Sequence, residues 1–117
     1  MEIKNEFIPY EQALALKELG FDEPCFGHYW ENLFYYETTH HHPSTMPNSP
    51  ESCLAPLYQQ AFRWFREKYG YYYPIHRITN NTNQVLYSIG PYAGDYFTYE
   101  EAELACLIKL IEIVKNK

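Results

Sequence analysis

Residues 25–36 read Cys25-Phe26-Gly27-His28-Tyr29-Trp30-Glu31-Asn32-Leu33-Phe34-Tyr35-Tyr36, and the fold class turns on them. Two aromatic-rich runs, of the kind strands prefer, flank Glu31-Asn32. Asn tolerates positive φ, so a two-residue turn closes a β-hairpin over residues 25–37. The same logic applies downstream, where residues 71–79 and 84–90 flank Asn80-Asn81-Thr82-Asn83, a run of turn formers. Val85, Tyr87 and Ile89 alternate with Gln84, Leu86 and Ser88, which predicts one face more buried than the other. After a loop over residues 90–95, Tyr96-Phe97 is expected to resume pairing. Hairpins mean antiparallel sheet.

Three helices frame these hairpins. Residues 9–20 carry Tyr10, Ala13, Leu14, Leu16 and Leu19 among polar neighbours, and Gly20 stands where a left-handed C-cap wants glycine. Residues 56–69 place Leu57, Ala61, Trp64, Phe65 and Tyr69 on one face at helical spacing, widened by Tyr58 and Phe62. Pro56 suits the first helical position, and Gly70 ends the run. The last helix opens on Thr98-Tyr99-Glu100-Glu101, a capping box. Its glutamates lie at the positive end of the helix dipole, Lys115 and Lys117 at the negative end. Its apolar residues cover roughly two-thirds of the circumference, where a one-sided helix needs an arc of only ~100° or somewhat more.

The order is α-ββ-(β)-α-ββ-α, with the bracketed strand at Cys53-Leu54. The expected fold is α+β, a small antiparallel sheet of four to five strands from two hairpins with three helices. Its core should hold Leu57, Ala61, Trp64, Phe65, Leu104, Leu107, Ile108 and Ile111. A length of 117 residues suits a single domain over 1–117. Residues 38–52, with Pro43, Pro47, Pro50 and the run His40-His41-His42, read as an irregular loop that adds little stability.

Composition excludes several function classes. No apolar run of ~20 residues exists, so no membrane-spanning helix is expected. Residues 1–10 have no apolar segment of the signal-peptide kind, so no secretory signal is expected. A net charge of -6 opposes non-specific binding to phosphate backbones, so nucleic acid is disfavoured as a partner. Cys25, Cys53 and Cys106 lack metal-ligand spacing and read as reduced, small apolar residues at a core edge.

Catalytic chemistry finds no motif. Neither GxSxG nor a phosphate-loop or dinucleotide fingerprint is present. Adjacent imidazoles in an extended chain point alternately to opposite sides, so His40-His41-His42 does not form a compact metal site. His28 and His76 converge only if their hairpins are neighbours. No catalytic residue, metal ligand or cofactor is assigned, and binding is expected rather than catalysis. One aromatic and basic cluster stands out: Arg63 and Arg66 on the polar side of the second helix, followed by Tyr71, Tyr72, Tyr73 and Arg77. Tyrosine faces and guanidinium forks together bind bases, phosphates or protein surfaces.

The phrase from Ala55 to Tyr69 (APLYQQAFRWFREKY) resembles small uncharacterised proteins of bacterial phages and prophages. So do Tyr99 to Leu107 (YEEAELACL) and Pro9 to Phe21 (PYEQALALKELGF). More distantly, the second half resembles the phage α-β-α sandwich domain: a helix with a central Trp, an antiparallel hairpin and a C-terminal helix. The resemblance implies a phage or prophage accessory protein in the cytoplasm of a bacterial host. It brings no catalytic residues with it. The expected role is protein–protein binding, to a host or phage protein, through aromatic strand faces and the last helix. The alternative is a protein that binds or sequesters a small molecule or nucleotide; an enzyme is the third choice. Leu104, Leu107, Ile108 and Ile111 can face the sheet, which leaves Leu110, Ile113, Cys106 and Val114 toward another direction; the first helix could cover these within the same chain, but it is short, and incomplete cover predicts a homodimer through the last helix or the outer hairpin.

Overall fold

A computed structural model describes residues 3–41, 49–71, 74–89 and 95–116. A 3₁₀ turn over Ile3–Glu6 leads into α1, Tyr10–Glu18. Gly20 takes φ 97°, its N–H donates to the Lys17 carbonyl at 3.1 Å, and the Phe21 N–H donates to the Leu16 carbonyl at 2.9 Å. This is the paired closure of a left-handed C-cap. Phe21 folds back as its apolar contact and meets Trp64 edge-on, with ring centroids 5.4 Å apart.

The first hairpin forms from β1, Cys25–Trp30, and β2, Leu33–His41. Glu31, not Asn32, takes the positive φ at the turn, 55°. β2 runs past the expected end at residue 37, so residues 38–41 are strand backbone rather than loop. The excess length is absorbed by an irregularity, since Gly27 pairs with Tyr36 but Cys25 pairs with His41. β3, Cys53–Ala55, lies antiparallel on the other side of β1, giving the order β2-β1-β3. Phe7 bridges to Leu57, and the Ile8 N–H donates to the Pro56 carbonyl at 3.0 Å, so the chain start lies against the residues that follow β3. It also crosses β1: a Cβ on Gly27 would fall 2.7 Å from Phe7 Cδ1. Only glycine leaves that room.

α2, Tyr58–Tyr69, begins after Leu57 as N-cap. Pro56 therefore precedes the helix instead of opening it, because its carbonyl is committed to Ile8. Gly70 closes the helix at φ 73°. β4, Ile75–Thr79, and β5, Val85–Ile89, form the second hairpin, and β6, Asp95–Tyr96, pairs with β5 in the order β4-β5-β6. β6 forms at Asp95-Tyr96 rather than Tyr96-Phe97, and Phe97 is exposed.

The fold class is α+β as expected, but the strands build two three-stranded antiparallel sheets instead of one sheet of four to five. β2 and β3 take both edges of β1, and the chain start lies against the residues that follow β3. The second hairpin pairs within itself and with β6, and it packs on α3, Tyr99–Lys115. α3 touches β4, β5 and β6 as well as α1 and α2. Its capping box forms: Thr98 Oγ1 accepts from the Glu101 N–H at 3.1 Å and donates to Glu101 Oε1 at 3.1 Å. The carboxylate thus engages the hydroxyl where a backbone amide was expected.

Most of the expected core is buried: Ala61, Trp64, Phe65, Leu107 and Ile111. Leu57 packs against its edge and Leu104 is half-buried. Ile108 is the exception, 37% exposed, whereas Leu110 and Cys106 are each 1% exposed. Leu110 and Cys106, expected to turn away from the sheet, are thus buried within the chain, where α1, α2 and the second sheet all pack on α3, while Ile113 and Val114 are half-buried. The end of the expected loop also packs. Lys17 Nζ donates to the carbonyls of Ser49 and Ser52 at 2.8 and 2.7 Å, and Ser52 is buried.

Candidate functional site

The expected cluster is spread over the molecule. Arg63 lies on the exposed side of α2, 3.8 Å from the Glu23 carboxylate. Glu23 also accepts from Gln60 Nε2 at 3.3 Å, so this arginine ties α2 to the segment before β1. Arg66 is exposed on the same helix. Tyr71 stacks on Tyr69, ring planes 10° apart. Arg77 belongs to the other sheet, opposite Tyr87 on β5. Tyr72 and Tyr73 lie outside the described residues.

Among the described residues, no three His, Cys, Asp or Glu side chains come together to hold a metal ion. His28 and His76 sit in different sheets. All three cysteines are buried thiols. Burial, with Glu23 adding to it, pushes Cys25 up to about 12, and burial pushes Cys53 up to about 11. Neither supplies a thiolate nucleophile near neutral pH. Among the described residues, no helix is long and apolar enough to cross a membrane.

Two further surfaces stand out among the described residues. The first is the outer face of the β1–β2 hairpin. Side chains alternate along a strand, so Tyr29 and Phe34 turn to the core while His28, Trp30, Leu33 and Tyr35 share the other side. The cross-strand pairs Trp30–Leu33 and His28–Tyr35 put them in one patch. His28 stacks on Tyr35 at 5.5 Å, and Trp30, Leu33 and Tyr35 are 50%, 56% and 46% exposed.

The second surface was missed. A cleft of about 470 Å³ is lined by Lys4, Tyr10, Tyr29, Tyr58, Glu100 and Glu101, among others. Tyr10 and Tyr29 meet with ring centroids 5.2 Å apart. Their hydroxyls donate to backbone, Tyr10 to Glu51 at 2.7 Å and Tyr29 to Ile8 at 2.9 Å. Tyr58 is 9% exposed and lines the same cleft. Glu103 acts on the Tyr58 hydroxyl and is itself half-buried; burial, then Glu100 and Glu6, pushes its carboxyl up to about 7. Reading all the α3 glutamates as helix N-terminal charges hid this. The available signal was spacing: Glu103 stands three, four and seven residues before the buried Cys106, Leu107 and Leu110. It is a carboxylate in line with the apolar stripe.

Nothing among family models, curated proteins or solved structures matches this chain.

Proposed function

We propose that this chain is a binding protein that docks another protein on the outer face of the β1–β2 hairpin. One observation carries the reading: Trp30, Leu33 and Tyr35, each about half exposed, lie together on one side of a two-stranded ladder. Large aromatic residues at the centre of a patch are what protein interfaces bury, and a tryptophan held open to water is otherwise a cost. The resemblance to phage and prophage proteins supports an accessory role in a bacterial host cell. The last helix contributes less than its composition promised, since its apolar residues are mostly covered within the chain. A nucleotide is disfavoured as ligand of the second cleft, whose carboxylates would repel its phosphates.

The test is photo-crosslinking. A benzoylphenylalanine at Tyr35, irradiated in the cells that express the chain, should give one discrete adduct. Trp30→Ser should abolish it with the circular dichroism spectrum unchanged. An adduct of twice 14.0 kDa would assign the face to a second copy of the chain. Equal adduct yield with and without Trp30 would overturn the reading.

A further inference from the structure

We propose that the open edge of β2 pairs with the same edge of a second copy of this chain, Phe34 and Tyr36 exchanging backbone hydrogen bonds across a two-fold axis at Tyr35. The contact runs along the strand, beside the outer face and not on it, so it does not depend on the docking reading. It keeps the hairpin route of the expected homodimer and drops the helix route, since Leu110 and Cys106 are buried within the chain.

The backbone sets the geometry. The hairpin turns on two residues, so its closing pair, Trp30–Leu33, exchanges hydrogen bonds, and bonding then alternates along the ladder. Leu33 and Tyr35 therefore turn N–H and C=O toward β1. Phe34 and Tyr36 turn theirs away from it, just as Tyr29 and Gly27, their partners on β1, turn theirs to Cys53 and Ala55 on β3. Among the described residues no strand lies on that outer side, because β2 ends the order β2-β1-β3. A row of unpaired N–H and C=O groups is a template for another strand.

Side chains set this edge apart from the others. β3 and β6 are three and two residues long, and β4 carries the exposed Arg77 after Pro74. Short, charged or proline-bounded edges resist pairing. β2 has nine residues, and its residues 33–36 read Leu-Phe-Tyr-Tyr, without charge in a chain of net charge -6. Tyr35 is 46% and Tyr36 53% exposed, and alternation puts them on opposite faces of the strand. A partner on the outer face covers Tyr35 and leaves Tyr36 open. A strand added at the edge reaches both.

Self-matching selects a second copy as that strand. In antiparallel pairing only residues that face each other exchange bonds. With Tyr35 opposite its own counterpart, Phe34 meets Tyr36 and Tyr36 meets Phe34. Each such pair exchanges two hydrogen bonds and sets ring against ring across the strands. A shift that set Glu37 opposite its own counterpart would oppose like charges, and the irregularity after Tyr36 ends the regular ladder there. The pairing joins two three-stranded sheets into one continuous sheet. A strip over residues 33–36 on each copy buries less than the ~1,200 Å² at which stable interfaces begin, so the pair is transient, half dissociated at ~10–100 µM.

Sedimentation of the full chain from about 1 to about 300 µM, in about 150 mM salt, tests this. The mass should rise from 14.0 kDa toward twice that. Tyr36→Pro removes an outward N–H that β1 does not use, a position where edge strands accept proline. It should stay monomeric throughout, with its circular dichroism spectrum unchanged. Tyr35→Lys and Tyr35→Glu each set like charges opposite one another at the axis, so each alone should dimerise about tenfold more weakly. An equimolar mixture of the two should recover the dimer, and this pair decides the matter if the proline variant does not fold. Trp30→Ser, on the outer face, should leave the midpoint within about twofold. A residue-35 adduct that survives in the monomeric Tyr36→Pro chain belongs to the partner of the outer face, so the two readings fail separately. A mass of 14.0 kDa at the highest concentration would overturn the edge pairing. So would a dimer that Tyr36→Pro retains, a mixture of charge variants that stays monomeric, or a dimer lost with Trp30→Ser.

Discussion

Glu103 shows how one residue can trade stability for a surface property. Its carboxyl is pushed up to about 7, first by burial and then by Glu100 and Glu6. The folded state therefore holds a proton that the unfolded chain releases near its ordinary value. With more protons bound in the native state, unfolding free energy falls as pH rises. Stability linked to Glu103 is complete below about pH 4.5 and is lost as pH passes through about 7. Glu103→Gln keeps the side-chain shape and removes the charge. It should raise stability at pH 8 by about 1–2 kcal/mol, discounted for the water that still reaches the carboxylate. It should change little at pH 4.5. Urea unfolding at the two pH values measures this; an equal effect at both would show that the carboxylate is not the source. The rings beside it explain why this cleft escaped a sequence reading. Tyr10, Tyr29 and Tyr58 lie on α1, β1 and α2, and no local spacing brings them together.

Among the elements, α3 is where sequence and structure agree on existence and differ on orientation. Thr98, Glu100 and Glu101 marked its start, and Gly20 and Gly70 marked the ends of the other two helices, because caps are local chemistry. Both hairpins and the short strand at Cys53 were equally local. The rest depended on long-range partners. Whether two hairpins share one sheet rests on which edges are already taken, and a helix apolar on two sides offers no internal clue to its inner face. Leu110 was expected to turn away from the sheet, toward the first helix or a second copy, and it is buried within the chain, whereas Ile108 was expected in the core and is exposed. The two positions therefore make a matched test. Leu110→Ala leaves a void in the core and should cost about 2–5 kcal/mol. Ile108→Gln, on the partly open side, should stay within about 1 kcal/mol. Thermal melts of the two variants separate the orientations; a larger loss at Ile108 would return the helix to the expected face.

The molecule as a whole measures 51 × 35 × 20 Å, with a radius of gyration of 15.2 Å, where a compact domain of this length has about 13 Å. Two small sheets lie apart, and α3 packs on every strand of the second while also touching α1 and α2. The sheets are unequally anchored. β1 and β3 bury Cys25, Tyr29, Cys53, Leu54 and Ala55, whereas the second sheet buries Ile89, with its other residues half-buried or exposed. Its face bearing His76, Ile78, Leu86 and Ser88 has no buried residue. Local opening follows buried apolar contact. Native-state hydrogen exchange should therefore find the β4–β5 amides opening at a lower free energy than those of the β1–β3 ladder. The amides of Cys106, Leu107 and Leu110 should set the global limit. Low denaturant should release β4 and β5 while the proposed docking face, which is built on β1 and β2, stays closed. Equal protection across both sheets would mean that α3 couples them into one cooperative unit, and the second sheet would then be as much a part of the binding scaffold as the first.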